Sequence, residues 1–358
     1  MRRSNISSHG IVWFFLSSIF KSISKICFGK VKFRIVVVYA SRLGPLIMSP
    51  ELARISRKYI KENDKIIVVD FLVFYYRYSK SELRFQTMLR YWQRKNLSLP
   101  SYLLPKKNGP EWLNAHFPEL VFNKDSTDDR EDGPRLIDYS PHSTLHKYKS
   151  RTIKQILAKY GVHEGEKYVC ILVRDDNYLK QMYPSIDFSH HDFRDHDVQL
   201  FVPAISYLID CGYKVFRMGY LPKNKTNFKH PMFFDYACDA NASLLSDFAL
   251  WTNCSFAIST SSGIDFLANL SRRPLGLIDI VPVNYAMNST STILSYRKHL
   301  FDNKYLNKAD IINLGLGEAF HSEDYRRKDV ILELSSSTEI LECIRVFERS
   351  ARLKNYLL

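Results

Sequence analysis

The chain has 358 residues, 46% of them apolar or aromatic, enough for two globular domains that each bury a core. With 13 Gly and 14 Pro it is neither fibrous nor a low-complexity chain. The 51 Lys and Arg against 37 Asp and Glu leave a formal charge of +14. Such a charge suits an anionic membrane face, nucleic acid or phosphorylated substrates, and says little about fold.

In chain order, "IVWFFLSSIF" (11–20) follows "MRR" as the apolar region of a signal peptide would, but "KSISKICFGKVKFR" follows it in place of a small-residue cleavage site. Lys21 and Lys25 interrupt any span of about 20 apolar residues, which argues against a membrane-crossing helix. Val12, Phe15, Leu16, Ile19, Ile23 and Ile26 recur mostly three or four apart, with Lys21, Lys25, Lys30 and Lys32 beside them. We expect residues 1–30 to form a basic amphipathic segment lying on an anionic leaflet. An ordinary helix packed on the protein's own body is the plainer reading.

"FRIVVVYA" (33–40) and "DKIIVVDFLVF" (64–74) read as buried strands of a parallel sheet. A loop lies between them, then a helix that Pro50 would start. "SELRFQTMLRYWQRK" (81–95) reads as a second helix. The acidic, turn-rich stretch 123–146 marks a boundary, so residues 31–146 form one α/β domain with its linker and 147–358 a second. In the second, 148–162 is a helix ended by Gly161. Strands are expected at 167–175, 213–219, 232–237, 255–260 and 274–280. Helices are expected at 197–212, 245–254 (capped by Ser246), 264–271 and 337–350. Two α/β halves imply two doubly wound domains facing a cleft. The six cysteines form no CxxC pattern, several lie in apolar runs, and reduced, buried thiols in the cytoplasm are expected.

In such sheets ligands collect beyond the carboxyl ends of strands. "SFAIS" ends there, and Thr260, Ser261, Ser262 and Gly263 precede a helix whose free N–H groups and dipole favour an anion. Simple N-capping explains the same residues. Arg174 and Arg217 each end a strand of the same expected sheet, and two guanidiniums converging on that turn would clamp a diphosphate. Pairing of each Arg with a nearby carboxylate is the alternative. "SHHDFRDHD" (189–197) gathers His and Asp able to act as general base or to bind sugar hydroxyls; a solvated polar loop is the plainer reading. No P-loop, GxGxxG or GxSxG motif occurs, no zinc-ligand spacing is present, and the aromatics lie in core-like runs rather than along a nucleic-acid groove.

Taken in order, "VCILVRDDNYLK", "HDFRDHDVQLFVPAISYLIDCGYKVFRMG" and "SDFALWTNCSFAISTSSGIDFLA" resemble a family of bacterial glycosyltransferases of surface-polysaccharide clusters, which is distantly similar to the GT-B fucosyltransferases. The likeness spans most of residues 33–285. It implies an α/β, GT-B-like fold of two Rossmann-type domains and metal-independent transfer of a sugar from a nucleotide-sugar to a glycan or lipid-linked acceptor. No cofactor is implied beyond the nucleotide-sugar substrate. The implied donor-binding residues are Arg174, Arg217, Gly219, Thr260, Ser261, Ser262 and Gly263, with Gly44 and Arg194 on the acceptor side. The family's N-terminal domain typically carries a Gly–His turn before a Pro/Glu-containing helix start. Here Gly44–Pro45 and Pro50–Glu51 stand, and the missing His leaves the base to Glu51, Asp192 or His191. The enzyme is expected in the cytoplasm, peripheral on the inner face of the plasma membrane, with no nucleic-acid partner. A sugar-nucleotide epimerase or hydrolase of the same fold, and a nonenzymatic basic adaptor for membrane or nucleic acid, are the alternatives.

Overall fold

The nine residues Val31–Tyr39 (β1) form a strand that is covered on both sides, which is why their apolar run is nearly continuous. The computed structural model describes residues 8–76, 86–122, 138–140, 151–284 and 291–355. It divides into two compact units, Met1–Tyr139 and Ser140–Leu358. The expected boundary 123–146 lies outside the described residues except for 138–140, as do the starts of the expected helices at 81 and 148.

In the first unit, β1, β2 (Ile67–Tyr75) and β3 (Leu97–Leu99) form a parallel sheet in that order. On one face Phe33, Ile35 and Val37 meet helix α1 (Ser8–Ile26), which buries Trp13 and Phe20. Phe20 stacks on Phe33 and Phe71, with ring centroids 4.6 and 5.4 Å away. The other face carries α2 (Leu43–Asn63). Two shorter helices, α3 (Gln86–Gln93) and α4 (Gly109–His116), follow in the chain.

Helix α2 corrects the sequence reading. It starts at Leu43, so Gly44 and Pro45 lie in its first turn and Pro50 lies inside it. An interior Pro costs about 3 kcal/mol. Burial of Leu46, Ile47, Met48, Leu52 and Ile55, each worth about 1.5–3 kcal/mol, outweighs that cost.

The second unit holds a six-stranded parallel sheet in the order β6-β5-β4-β7-β8-β9. Its strands are β4 (Tyr168–Leu172), β5 (Lys214–Met218), β6 (Phe233–Phe234), β7 (Phe256–Ser259), β8 (Leu275–Leu277) and β9 (Ser291–Ile293). In sequence rank this is the doubly wound order 3-2-1-4-5-6, whose switch point lies between β4 and β7. Val169, Ile171 and Ile258 face α7 (Val202–Asp210) and the closing helix α12 (Ser337–Asn355). On the opposite face Tyr168 Oη donates to Leu250 O of α8 (Leu244–Asn253). Helices α5 (Arg151–Lys159) and α9 (Phe266–Ser271) pack against α8, and α6 (Asn177–Met182), which buries no residue, follows β4 in the chain.

Several local expectations change. The cap of α8 is Ser243, whose hydroxyl accepts the Ser246 N–H, rather than Ser246 itself. Residues 281–336, unassigned from the sequence, include a small antiparallel sheet of β10 (Lys298–Phe301), β11 (Lys304–Tyr305) and β12 (Ile331–Glu333). Beside it are α10 (Lys308–Asn313) and α11 (Ser322–Arg326). All six cysteines are free thiols; Cys170 and Cys254 are buried as expected, but Cys211 is exposed.

One buried ion pair ties the first sheet to α2. Arg34 on β1 donates to both carboxylate oxygens of Asp70 on β2, at 2.8 and 3.1 Å. It also donates to Ser56 Oγ and Ala53 O, and its guanidinium lies 4.7 Å from the Phe122 ring centroid. Asp70→Ala leaves this cation buried without its counter-charge and is expected to cost about 3–5 kcal/mol in denaturant unfolding. A loss under about 1 kcal/mol contradicts that role.

Candidate functional site

The carboxyl ends of β4, β5 and β7 carry most of the residues singled out by the sequence. Arg174 lies two residues past β4. Its backbone N–H donates to Thr260 Oγ1 at 2.9 Å, and its carbonyl accepts from His196 N at 3.0 Å. Its guanidinium pairs with Asp195 and reaches His191 O at 3.4 Å. Arg174 therefore joins the β7 end to the segment 189–197, whose first part is a 3-10 turn, Ser189–Arg194. Arg194 donates to Ser261 O at 3.1 Å.

The Ser/Thr turn is used differently from the anion cradle expected. Thr260 N donates to Leu172 O, Ser261 N to Ser259 Oγ, and Ser262 N to Asp265 Oδ2. Asp265 also accepts from Ser259 Oγ at 2.7 Å, and burial pushes its carboxyl up to about 6. Helix α9 begins only at Phe266 and has six residues. Three of the turn's N–H groups are thus occupied by the protein, and a carboxylate stands where the phosphate was expected. Nor do these bonds make the simple Ser/Thr cap that was the alternative: the N-cap of α9 is Asp265, with no side-chain cap bond, and Thr260 Oγ1 accepts from Arg174 instead. Gly263 lies within the same turn.

Arg217 is on β5, separated from β7 by β4, so its backbone lies about 10 Å from that turn. Its side chain is 2% exposed and donates through Nη1 to Asn224 O at 2.8 Å and to Asp235 at 3.2 Å. The two arginines therefore do not converge on the turn; each has found a carboxylate. Arg217 Nε is buried with no hydrogen-bond partner among the described residues. Gly219, just past β5, holds a φ of +136°, which a side chain rarely adopts.

Arg217 faces a cavity of about 400 Å³ at the ends of β4 and β5. Asp192 and Asp195 line it, with Asp175, Asp176, His196 and Lys223. Asp176, Asp192 and Asp195 each bring an oxygen within 4.8 Å of the others, a spacing that also fits a cation. Burial pushes the Asp195 carboxyl up to about 6 against the attraction of Arg174, and the neighbouring aspartates push the same way. Asp176 pairs with Lys180, whose ammonium holds its carboxyl below the usual range. His190 and His191 lie beside one another, ring centroids 4.0 Å apart, with His321 5.0 Å from His190.

Behind the cavity lies a second tier of buried groups, of which His196 belongs to the stretch 189–197 and Asp279, Arg297 and Ser335 escaped the sequence reading. His196, 3.4 Å from Asp279, is kept from protonation chiefly by burial. Burial works to raise the Asp279 carboxyl, but bonds from His196 and Ser335 hold it at about 2. Arg297 lies 3.2 Å from both ring nitrogens of His196 and 3.3 Å from Asp195 O. Burial brings its guanidinium down to about 10. Arg297 is about 100 residues from these partners, and no local pattern announces it. Asp265, by contrast, stands three residues after Ser262, a spacing that signals capping.

Two expected residues belong to the first unit. Glu51 is fully buried on α2 and forms a two-bond pair with Arg54 at 2.8 Å. Gly44 is buried in the first turn of the same helix.

No family model and no curated protein matches this chain. Among solved structures, it is similar to the ADP-heptose lipopolysaccharide heptosyltransferase II of E. coli, 12% identical over 88% of this chain and 98% of that one, with a TM-score of 0.45. A glycosyl transferase family 9 protein from Veillonella parvula is 12% identical, over 88% and 97% of the two chains, with a TM-score of 0.42. The iron-containing heptosyltransferase TibC of enterotoxigenic E. coli, in complex with ADP-D-beta-D-heptose, is 14% identical over 90% and 78%, with a TM-score of 0.40. None of the three is a fucosyltransferase.

The folded chain holds the Asp195 proton more tightly than an unfolded chain, where the carboxyl titrates near its ordinary 3.8. Stability from this group is thus present below pH 4 and lost as pH rises through about 6. Asp195→Asn cannot ionise and is expected to flatten that part of the stability profile. A variant profile parallel to the wild type contradicts the assignment.

Proposed function

We propose that the chain is a glycosyltransferase that binds a nucleotide-sugar in the cavity at the ends of β4 and β5. The sugar goes to a glycan or lipid-linked acceptor of surface polysaccharide, presented at the inner face of the plasma membrane. The observation that carries this reading is Arg217: a buried strand-end cation whose Nε has no partner among the described residues, facing the same cavity as five aspartates. A purely anionic ligand would be repelled by the carboxylates, and a purely cationic one by Arg217 and Lys223. A nucleoside diphosphate sugar offers both complements: phosphate oxygens for the two cations and hydroxyl donors for the carboxylates.

Arg217 and Lys223 neutralise the departing diphosphate, where charge develops. Asp192, exposed at the rim, or Asp195 accepts the acceptor's proton. Glu51, engaged by Arg54, and His191 are the less favourable bases. Arg174, Arg194, Gly219 and the turn Thr260, Ser261, Ser262 and Gly263 shape and fix the cavity's edge, and Gly44 stays on the acceptor side of the first unit. The carboxylates of Asp176 and Asp195 already have cationic partners in Lys180 and Arg174, which supports catalysis without a metal. We infer no cofactor and no nucleic-acid partner.

A thermal-shift screen of GDP-, UDP-, CMP- and dTDP-sugars is expected to find one nucleotide that raises the melting temperature. Arg217→Ala is expected to abolish that shift and to cut turnover by about two orders of magnitude or more, on the scale of losing one charge-stabilising donor. Normal turnover in folded Arg217→Ala contradicts the reading. Rapid consumption of donor without acceptor favours an epimerase or hydrolase instead. Dialysis against a chelator is expected to leave turnover unchanged, and a loss restored by a divalent cation would instead assign Asp176, Asp192 and Asp195 to a metal.

A further inference from the structure

Helix α1 has two apolar faces, and only one is covered. The inner face places Trp13, Ser17 and Phe20 against the first unit's sheet. The outer face presents Ile11, Phe14, Phe15, Ile19, Ile23 and Ile26 to solvent, from 37% exposed at Ile23 to 74% at Ile26. At 100° per residue, Ile11, Phe15, Ile19 and Ile26 fall within about 80° of arc, a continuous crest along the helix. Phe28 follows it, 91% exposed. Eight of the eighteen exposed large apolar side chains among the described residues lie between Ile11 and Phe28. A soluble surface scatters such residues singly, and a contiguous stripe marks a contact.

The charge around the crest identifies the contact. Residues 1–50 contain eight Lys and Arg and no Asp or Glu; the first acidic residue is Glu51, which is buried. Lys25, Lys30 and Lys32 are exposed, and Lys21, 66% exposed, reaches Glu119 at 3.0 Å. On the helical wheel Lys21 and Lys25 flank the crest on one side.

We propose that the outer face of α1 is a lipid-contacting surface that seats the chain on an anionic bilayer, the apolar crest among the acyl chains and the lysines at the headgroups. A second copy of the chain would bring the same positive charge to the same place. A nucleic acid would satisfy the lysines and leave the phenylalanines in water. An anionic leaflet satisfies both. Among the described residues no helix is long and apolar enough to cross a membrane, so the contact is along the surface. The inference stands on α1 alone and does not need the donor reading.

Deleting α1 is a poor test, because it strips Trp13 and Phe20 from the core. The clean variant is the full chain with Phe14→Ser, Phe15→Ser, Ile19→Ser and Ile23→Ser, all at exposed positions. Sedimentation with vesicles of phosphatidylglycerol and phosphatidylcholine should show wild-type binding, weakened on the order of a hundredfold or more in the variant. Vesicles of phosphatidylcholine alone should bind the wild type much more weakly. The variant's melting temperature and any nucleotide-sugar shift should stay at wild-type values, which separates failure here from failure of the proposed reaction. Equal vesicle binding by wild type and variant overturns the proposal. So does a wild-type dimer that ignores vesicles and dissociates on the same substitutions, or binding to duplex DNA in preference to the anionic vesicles.

Discussion

Three bonds from one residue hold the site in place. Arg174 donates its N–H to Thr260, accepts the N–H of His196 and pairs its guanidinium with Asp195. The first bond ties β4 to β7 across the switch point of the sheet. The other two draw the segment 189–197 over the end of β4. The segment, whose first turn is a 3-10 helix with no buried residue, is held further by Arg194, which donates to Ser261 O, by Arg297, which donates to Asp195 O, and by Ser322, which donates to His190 O. The cavity beside Arg217 exists because this segment forms one of its walls.

That arrangement concentrates charge where water is scarce. Two carboxyls, Asp195 and Asp265, are pushed up to about 6, and Arg297 is brought down to about 10. Burial is the main cause in each, and it is tolerable only where partners are fixed in advance. The tier behind the cavity supplies them: Ser335 and His196 hold Asp279, and Arg297 bridges His196 to the Asp195 backbone. Preorganised charge of this kind reaches a bound ligand with little reorganisation. Arg217 and Arg297 each keep an Nε with no partner among the described residues, and of the two it is Arg217 that lines the cavity, where a ligand can use it.

The alternation of strands and helices was legible because buried parallel strands are short apolar runs bounded by polar loops, as "VCIL" and "FAIS" are. Strand ends were legible too, so Arg174, Arg217 and the Ser/Thr turn were correctly assigned to one edge. What each side chain does there was not. Pairing across the sheet depends on strand order, and order 6-5-4-7-8-9 puts Arg217 beside Asp235 and away from Thr260. The aspartate that occupies the turn was visible at Asp265, while Arg297 and Asp279 meet the site only through the fold. Helix α1 shows the same limit. Its apolar spacing read as a single face, yet the helix packs with Trp13 and Phe20 and leaves a second stripe outside. Periodicity reports that a helix has apolar positions and not how many partners they meet.

The most direct measurement is a crystal structure of the chain soaked with the nucleoside diphosphate that gives the largest thermal shift. The account predicts phosphate oxygens within hydrogen-bonding distance of Arg217 Nε and of Lys223, inside the cavity at the ends of β4 and β5. A diphosphate bound elsewhere, with Arg217 Nε still bare, would contradict it.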